Sequence, residues 1–250
     1  MKLLVKEVIA KSILSKSGIP GADYCINPYI GCSHACRYCY ASFMKKFTGH
    51  TEPWSDFVDI KINSLQILQR QLKKASKGSV MISSVTDAYQ PVEAEYKLTR
   101  QCLEVLLQHH FQIFILTKSP LVLRDMDLIR KFDDIEVGIT ITTDNEKMRE
   151  IFEPKAPTIE ARIHALKTLH ENNIKTYAFI GPALPMNPEA LCKRIFPYVN
   201  YVYIDRMNYT SKTLNIYRQL KLQHWLDRDF ADIIIKRLKD SLGKKADVVC

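Results

Sequence analysis

The sequence predicts an α/β fold in which parallel strands alternate with helices. Three observations carry the prediction: short apolar runs of β-type composition recur along the chain, turn residues follow each run, and segments of helical periodicity separate one run from the next. The runs occupy residues 80–85, 111–116, 135–141, 175–180 and 201–204, and the helical segments occupy 98–109, 121–132, 159–172 and 188–198. This alternation is the pattern of right-handed βαβ units on a parallel sheet.

An earlier strand is expected at 23–28, which brings the count to about six. A helix over 61–76 would join it to the next strand, although 57–62 also reads as extended chain. Residues 213–242 read as two helices, the second starting near Asp227 or Asp229. No internal repeat, Gly/Ser linker or break in composition marks a second domain. A single domain over 1–250 is therefore expected, with a core at about 22–210 and a C-terminal helical extension at about 211–250. Strand–helix barrels run to roughly 250 residues as one unit, so the length fits.

With 46% hydrophobic and 25% charged residues the chain has globular proportions, which excludes disorder and low-complexity architectures. The net charge is +9, a balance that favours polyanionic partners such as nucleic acid without choosing among them. Its opening residues, MKLLVKEVIAKSILSKSG, have no long apolar core with a cleavage site, and no stretch approaches the roughly 18 apolar residues of a membrane span. A soluble cytoplasmic protein with no membrane partner, monomeric when isolated, is expected.

Seven cysteines are present, and Cys25, Cys32, Cys36 and Cys39 lie close together while Cys102, Cys192 and Cys250 are scattered. In a reducing compartment such clustering points to metal rather than disulfides. The spacing Cys32-x3-Cys36-x2-Cys39 fits one compact loop, Gly31 allows a tight turn ahead of it, and soft thiolates suit zinc or iron–sulfur. Structural zinc needs four closed ligands, so that reading must recruit His34, Cys25 or a distant group. Three cysteines on a four-iron cluster would leave one iron open, which is a catalytic arrangement. Both readings stand on the residues alone, as does one of unligated thiols.

In parallel strand–helix folds the chemistry gathers where the strands end. The polar groups just past the runs are Thr86-Asp87, Thr117-Lys118-Ser119, Thr140 with Thr142 and Thr143, Gly181-Pro182, and Asp205-Arg206 with Asn208. Any one of them is an ordinary cap or turn former. Five sets on one rim suggest a site.

The C-x3-C-x2-C loop with an aromatic before its third cysteine resembles the cluster loop of the radical S-adenosylmethionine superfamily. More narrowly, NPYIGCSHACRYCYA, SSVTDAYQPVE, LTKSP, VGITITT and EPKAP with a following arginine resemble the spore photoproduct lyase-like branch, often labelled DNA repair photolyases. The resemblance runs from about 27 to 208, and the segment 41–61 is similar to short members encoded in pairs on mobile elements. It implies an open, partial (β/α)6 barrel with C-terminal helices, a [4Fe–4S] cluster and S-adenosyl-L-methionine. It also implies a reductant such as flavodoxin or ferredoxin, and it leaves room for a partner protein.

By the same resemblance Cys32, Cys36 and Cys39 are the cluster ligands and Tyr38, with Tyr40, lies beside the cofactor. Ser84, Thr86 and Asp87 stand where acceptors meet the cofactor's amino group. Lys118 stands as the cation for its carboxylate, and Thr140 and Thr142 at hydroxyl positions near methionine and ribose. Glu153 and Arg162 either pair to hold their loop or reach the carboxylate. Spore photoproduct lyase carries a hydrogen-donating cysteine where Ser84 aligns. A serine O–H is a poor hydrogen-atom donor, so thymine-dimer cleavage is not expected to transfer. The implied activity is reductive cleavage of the cofactor to a 5′-deoxyadenosyl radical for hydrogen abstraction, with nucleic acid or a nucleotide as the expected substrate. Modification of a protein or small molecule with a partner's help is the alternative within the enzyme class, and a non-catalytic zinc module outside it.

Among the other residues, Cys102 and Cys192 read as small core residues. Tyr89, Tyr96, Tyr203 and Tyr209 read as packing, or as stacking or relay groups. His50 and Trp54 could cover the site.

Overall fold

A computed structural model describes residues 3–249. The chain opens with strands β1 (Leu4–Val8), β2 (Leu14–Lys16), β3 (Tyr24–Ile26) and β4 (Tyr29–Ile30), followed by a 3-10 segment at Tyr40–Phe47. Next come β5 (Phe57–Lys61), α1 (Ser64–Leu72), β6 (Ser79–Ile82), α2 (Glu93–Tyr96), α3 (Leu98–Leu106), β7 (Gln112–Thr117) and α4 (Met126–Ile129). Then follow β8 (Ile135–Thr140), α5 (Glu146–Phe152), α6 (Ile159–Glu171), β9 (Lys175–Ile180), α7 (Pro188–Ile195) and β10 (Tyr201–Ile204). The chain closes with α8 (Thr210–Gln219), α9 (Arg228–Leu242) and β11 (Ala246–Val248).

The main sheet runs β11-β10-β9-β8-β7-β6-β3-β2, and every pairing in it is parallel except β2 with β3. Its two end strands do not pair with each other, so the barrel is open rather than closed. Strand β8 sits mid-sheet with all six residues buried, because helices cover one face and the barrel interior the other. Outside the sheet, Ile163, Leu166 and Leu169 of α6 pack with Ile113, Val137, Ile139 and Ala178 in one buried cluster. Inside it, the Tyr177 ring stacks on Tyr201 at 5.1 Å and its hydroxyl donates to the Ile115 carbonyl at 3.0 Å. Gly138 makes that possible, since a Cβ there would stand 2.2 Å from the Tyr177 ring. Tyrosine thus fills part of the barrel interior.

The expected alternation is present, with four differences. The segment 61–76 is not one helix: Phe57–Lys61 is strand β5, paired with β1 and β4 in a separate three-stranded sheet. Helix α1 starts only at Ser64, where the Ser64 hydroxyl donates to the Lys61 carbonyl at 2.6 Å and the Asn63 side chain ties off Ala10. The helix expected at 121–132 is a 3-10 turn at Pro120–Asp125 followed by one α-turn, α4. Its start is fixed by Pro120 and by the Ser119 side chain, which accepts from the Leu121 amide. Helix α5, not anticipated, starts at Asn145, whose side chain accepts from the Lys147 and Met148 amides. The C-terminal extension is not helical throughout, because β11 returns to pair with β10 as the last strand of the sheet. Cys250 lies outside the described residues.

Candidate active site

The cysteine loop is held from below by residues of the β6 exit. Gly31 has φ +92°, and a Cβ there would meet the Phe57 carbonyl oxygen at 2.3 Å, so the close pass of the loop over β5 requires glycine. The Thr86 hydroxyl donates to the Gly31 carbonyl at 2.6 Å, and buried Gln90 donates to the same carbonyl at 3.1 Å while accepting from the Ser33 amide at 3.0 Å. The Arg37 amide donates to the Phe152 carbonyl at 2.8 Å, tying the loop to the end of α5.

Above this loop lies a cleft of about 960 Å³, including the part open to solvent. Cys32, Cys36 and Cys39 line it together with residues that follow β6, β7, β9 and β10 and the last residue of β8. Tyr38, Tyr40, Ser84, Thr86, Asp87, Lys118 and Thr140 all reach it, whereas Thr142 and Arg162 do not. Of the strand-end groups, Gly181-Pro182, Asp205-Arg206 and Asn208 also line it.

Thr142 and Arg162 lie behind the wall, joined through Glu153. The Arg162 guanidinium stands 2.5 Å from the Glu153 carboxylate with both side chains fully buried, and the Thr142 hydroxyl donates to Glu153 at 3.2 Å. The Tyr38 hydroxyl donates to the same carboxylate. Lys118 Nζ is 3.8 Å from Glu153 and 5.8 Å from the centre of the Tyr38 ring. Burial alone would push the Glu153 carboxyl up, but Arg162, Lys118 and the Tyr38 hydrogen bond together hold it down at about 2. Tyr38 is pushed up, by burial first and then by the Glu153 charge. Lys118 loses by burial and gains more from Cys36 and Glu153, so its ammonium is favoured. Arg162 meets Glu153 at short range, and Lys118, farther from the same carboxylate, lines the cleft along with Arg206.

Asp87 is largely committed to the protein. Its carboxylate accepts from the Tyr89 amide (2.9 Å), the Thr117 hydroxyl (2.5 Å) and the Lys118 amide (2.8 Å), and it lies 3.2 Å from His34 Nε2. Burial opposes its charge, yet His34 and these donors hold it well below the usual carboxylate range. Asn27 accepts from the Ser84 and Val85 amides and donates to the Ser84 hydroxyl at 3.2 Å, and the Tyr40 hydroxyl donates to the Ser84 carbonyl.

Burial raises the Cys32 thiol, as do the charges of Asp87 and Cys36. The same cause pushes Cys36 up to about 12, against the opposing pull of Lys118. Among the described residues no group of three or more His, Cys, Asp or Glu side chains is set to hold a metal ion as it stands. His34 is turned toward Asp87, and Cys25 is buried in β3, which pairs with β2 and β6. Three thiols facing one cleft are the donor chemistry of an iron–sulfur cluster.

Sequence reasoning assigned no role to Gln90 or Lys212 and considered His34 only as a metal ligand. Gln90 lies within a quoted motif, so it was findable; Lys212 carries no local signal, because its contacts to the Cys39 carbonyl and the Ser42 hydroxyl cross 173 and 170 positions. His50 sits between Glu52 (3.2 Å) and Asp59 (2.8 Å) and stacks on Phe57, with Trp54 edge-on to the same ring, so both pack beneath the loop. Of Tyr89, Tyr96, Tyr203 and Tyr209, only Tyr209 lines the cleft. Cys102 and Cys192 are buried core residues.

The Radical SAM superfamily profile matches residues 26–193. An uncharacterised protein of Methanocaldococcus jannaschii is 41% identical over 233 residues, covering 92% of this chain and 85% of that protein. A radical SAM Nα-GlyT isomerase of Pseudomonas phage M6 is 23% identical over 160 residues, covering 63% of this chain and 32% of that protein. Spore photoproduct lyase complexed with dinucleoside spore photoproduct superposes with a TM-score of 0.68 at 13% identity, covering 98% of this chain and 81% of that one. A mutant of that lyase with S-adenosylmethionine also bound gives 0.66 at 12% identity, with the same coverage. The fold is thus shared with spore photoproduct lyase, and the chain belongs to the Radical SAM superfamily and is a radical SAM enzyme.

Proposed function

We propose that Cys32, Cys36 and Cys39 hold a [4Fe–4S] cluster, that S-adenosyl-L-methionine binds beside it in the cleft, and that the enzyme acts on nucleic acid or a nucleotide. The observation that carries the reading is the convergence of the three cysteines with Lys118, Ser84 and Thr140 on one cleft at the strand ends. When bound, cluster and cofactor supply one-electron cleavage of a sulfonium and hence a carbon radical able to abstract hydrogen.

The chain's own residues bind and orient. Lys118, a cleft-lining cation beside the three cysteines, suits the cofactor's carboxylate, while Arg162 meets Glu153 behind the wall. Ser84 and Thr140 are hydroxyl residues lining the same cleft. Thr86 and Asp87 support the site from beneath, since their polar atoms are bonded to the loop and to the β7 exit. Tyr38 is aimed by Glu153, and Thr142 and Arg162 act through that same carboxylate. Tyr40 closes the cleft edge with its hydroxyl on the Ser84 carbonyl.

Two observations favour a nucleotide-like substrate: the net charge of +9, and a shared fold whose solved members include one holding a dinucleoside. Ser84 sits at the cleft with no thiol in its place, which supports a reaction other than that of spore photoproduct lyase. We take the working enzyme to be a monomer reduced by a flavodoxin or ferredoxin.

Anaerobic reconstitution tests this reading. The holoprotein is expected to be brown, to absorb near 400 nm, and to release 5′-deoxyadenosine when given reductant and cofactor. A colourless protein that binds zinc, or a Cys36→Ala variant that retains cofactor cleavage, would end it. Deuterium transfer from labelled oligonucleotides into 5′-deoxyadenosine then tests the substrate class.

A further inference from the structure

The 3-10 segment Tyr40–Phe47 leads away from the cleft and turns its large rings outward. In a 3-10 helix, residues three apart lie one above another. Tyr40, Phe43 and Lys46 follow that spacing and are all exposed, while only Ala41 of the segment is buried. Phe47, the last residue, is 67% exposed, a costly position for a large apolar ring. Phe43 and Phe47 meet edge to face at 6.5 Å, and Lys46 Nζ lies 4.8 Å from the Phe47 ring centre and 5.9 Å from that of Phe43. Across the cleft mouth, exposed Tyr209 stacks on Tyr40 with centroids 6.2 Å apart and planes 20° apart. Lys212 lies over the Tyr209 ring and anchors the start of α8 to the Cys39 carbonyl.

The two stretches of chain that carry these rings are basic, and Asp205 just before the second one lines the same cleft. Residues 24–51 and 206–226, the two stretches that carry the rings, contain seven Lys and Arg and no Asp or Glu. Exposed π faces alternating with ammonium groups match a chain of flat bases joined by phosphates. A stacked duplex hides its base faces, so a single strand or an extruded nucleotide presents the complementary surface. Resting on the nucleic-acid reading above, we propose that the Tyr40–Phe47 segment and the Tyr209–Lys212 edge form a platform for single-stranded nucleic acid, with bases stacked on Phe43 and Phe47 and phosphates at Lys46. The platform feeds a nucleotide past Tyr40 and Tyr209 into the cleft.

The test is fluorescence anisotropy of labelled 12-nucleotide DNA and RNA strands, and of the matching duplex, with the reconstituted holoprotein. Phe43→Ala/Phe47→Ala is expected to weaken binding to the single strand at least tenfold, as loss of base stacking on an aromatic ring does. Substrate-free cofactor cleavage is expected to stay unchanged. Phe43→Leu/Phe47→Leu, which keeps apolar bulk and removes the π face, is expected to weaken binding similarly. Lys46→Gln should reduce the salt dependence by about one ion. If wild type binds the strand and both Phe variants bind it equally well, the platform is wrong and the nucleic-acid reading survives. If wild type binds no strand even at low salt, both fall. Equal binding of strand and duplex, with equal losses in the variants, would overturn the single-strand assignment.

Discussion

Glu153 shows how one buried charge organises a site it does not enter. Its carboxylate receives Tyr38, Thr142, Arg162 and Lys118, so removing Glu153 leaves Arg162 buried without its carboxylate, and removing Arg162 leaves Glu153 buried with only the more distant Lys118 to oppose its charge. Arg162→Ala is expected to cost about 3–5 kcal/mol in chemical denaturation. The folded-state Glu153 value of about 2 lies below its ordinary 4.5, so its contribution to stability is complete above about 4.5 and is lost as pH falls toward 2. Denaturation of Glu153→Gln across that window is expected to show a shallower acid limb than wild type. Asp87, also depressed, retains part of the slope. Lys118→Ala is expected to raise the cofactor Kd about tenfold or more by calorimetry, as for loss of a charge-assisted hydrogen bond. Absorbance near 400 nm should persist in that variant, because Lys118 is not a ligand. Unchanged affinity would remove Lys118 from the cofactor site.

At the scale of elements, the cysteine loop depends on strands that belong to two different sheets. β5 passes beneath Gly31, while the β6 exit supplies Thr86 and Gln90 to the same carbonyl. Gly31→Ala would force a Cβ against the Phe57 carbonyl at a positive φ. The expected result is iron uptake well below one cluster per chain on reconstitution, read by iron and sulfide analysis. Gly138→Ala makes a different point, since it sets a methyl against the Tyr177 ring in the barrel interior and not in the loop. It is expected to cost about 1–3 kcal/mol by overpacking, with cluster content per folded chain unchanged. The gathering of Cys32, Cys36 and Cys39 in one loop was legible in the sequence, as were β7 to β10, because buried parallel strands read as apolar runs. β5 was half-legible: Phe57-Val58-Asp59-Ile60 has strand composition, but its partners β1 and β4 lie far along the chain and short strands carry little signal of their own.

For the whole molecule, the C-terminus matters through the sheet edge. β11 pairs with β10 through Val202, Tyr203 and Ile204, covering an edge that would otherwise present unpaired backbone groups. Truncation after Lys245 keeps the Lys245 ammonium on the Phe196 and Val199 carbonyls while removing β11. This truncated chain is expected to scatter more light on concentration and warming than the full chain; equal solubility would show that the edge needs no cover. Among the described residues no helix is long and apolar enough to cross a membrane.

The linear sequence determined the parallel α/β class and the cluster of three thiols, since hydrophobic periodicity and cysteine spacing are local properties. It also marked the strand ends where the polar residues gather. Only the tertiary structure decided which of those residues face the cleft and which stand behind it. Thr140 and Thr142 are two positions apart, yet one lines the cleft and the other bonds Glu153 outside it. Arg162 and Lys118, both cations of the same resemblance, divide in the same way. The physical reason is that a buried carboxylate must collect partners from wherever the chain brings them near, and those distances exist only once the barrel has formed.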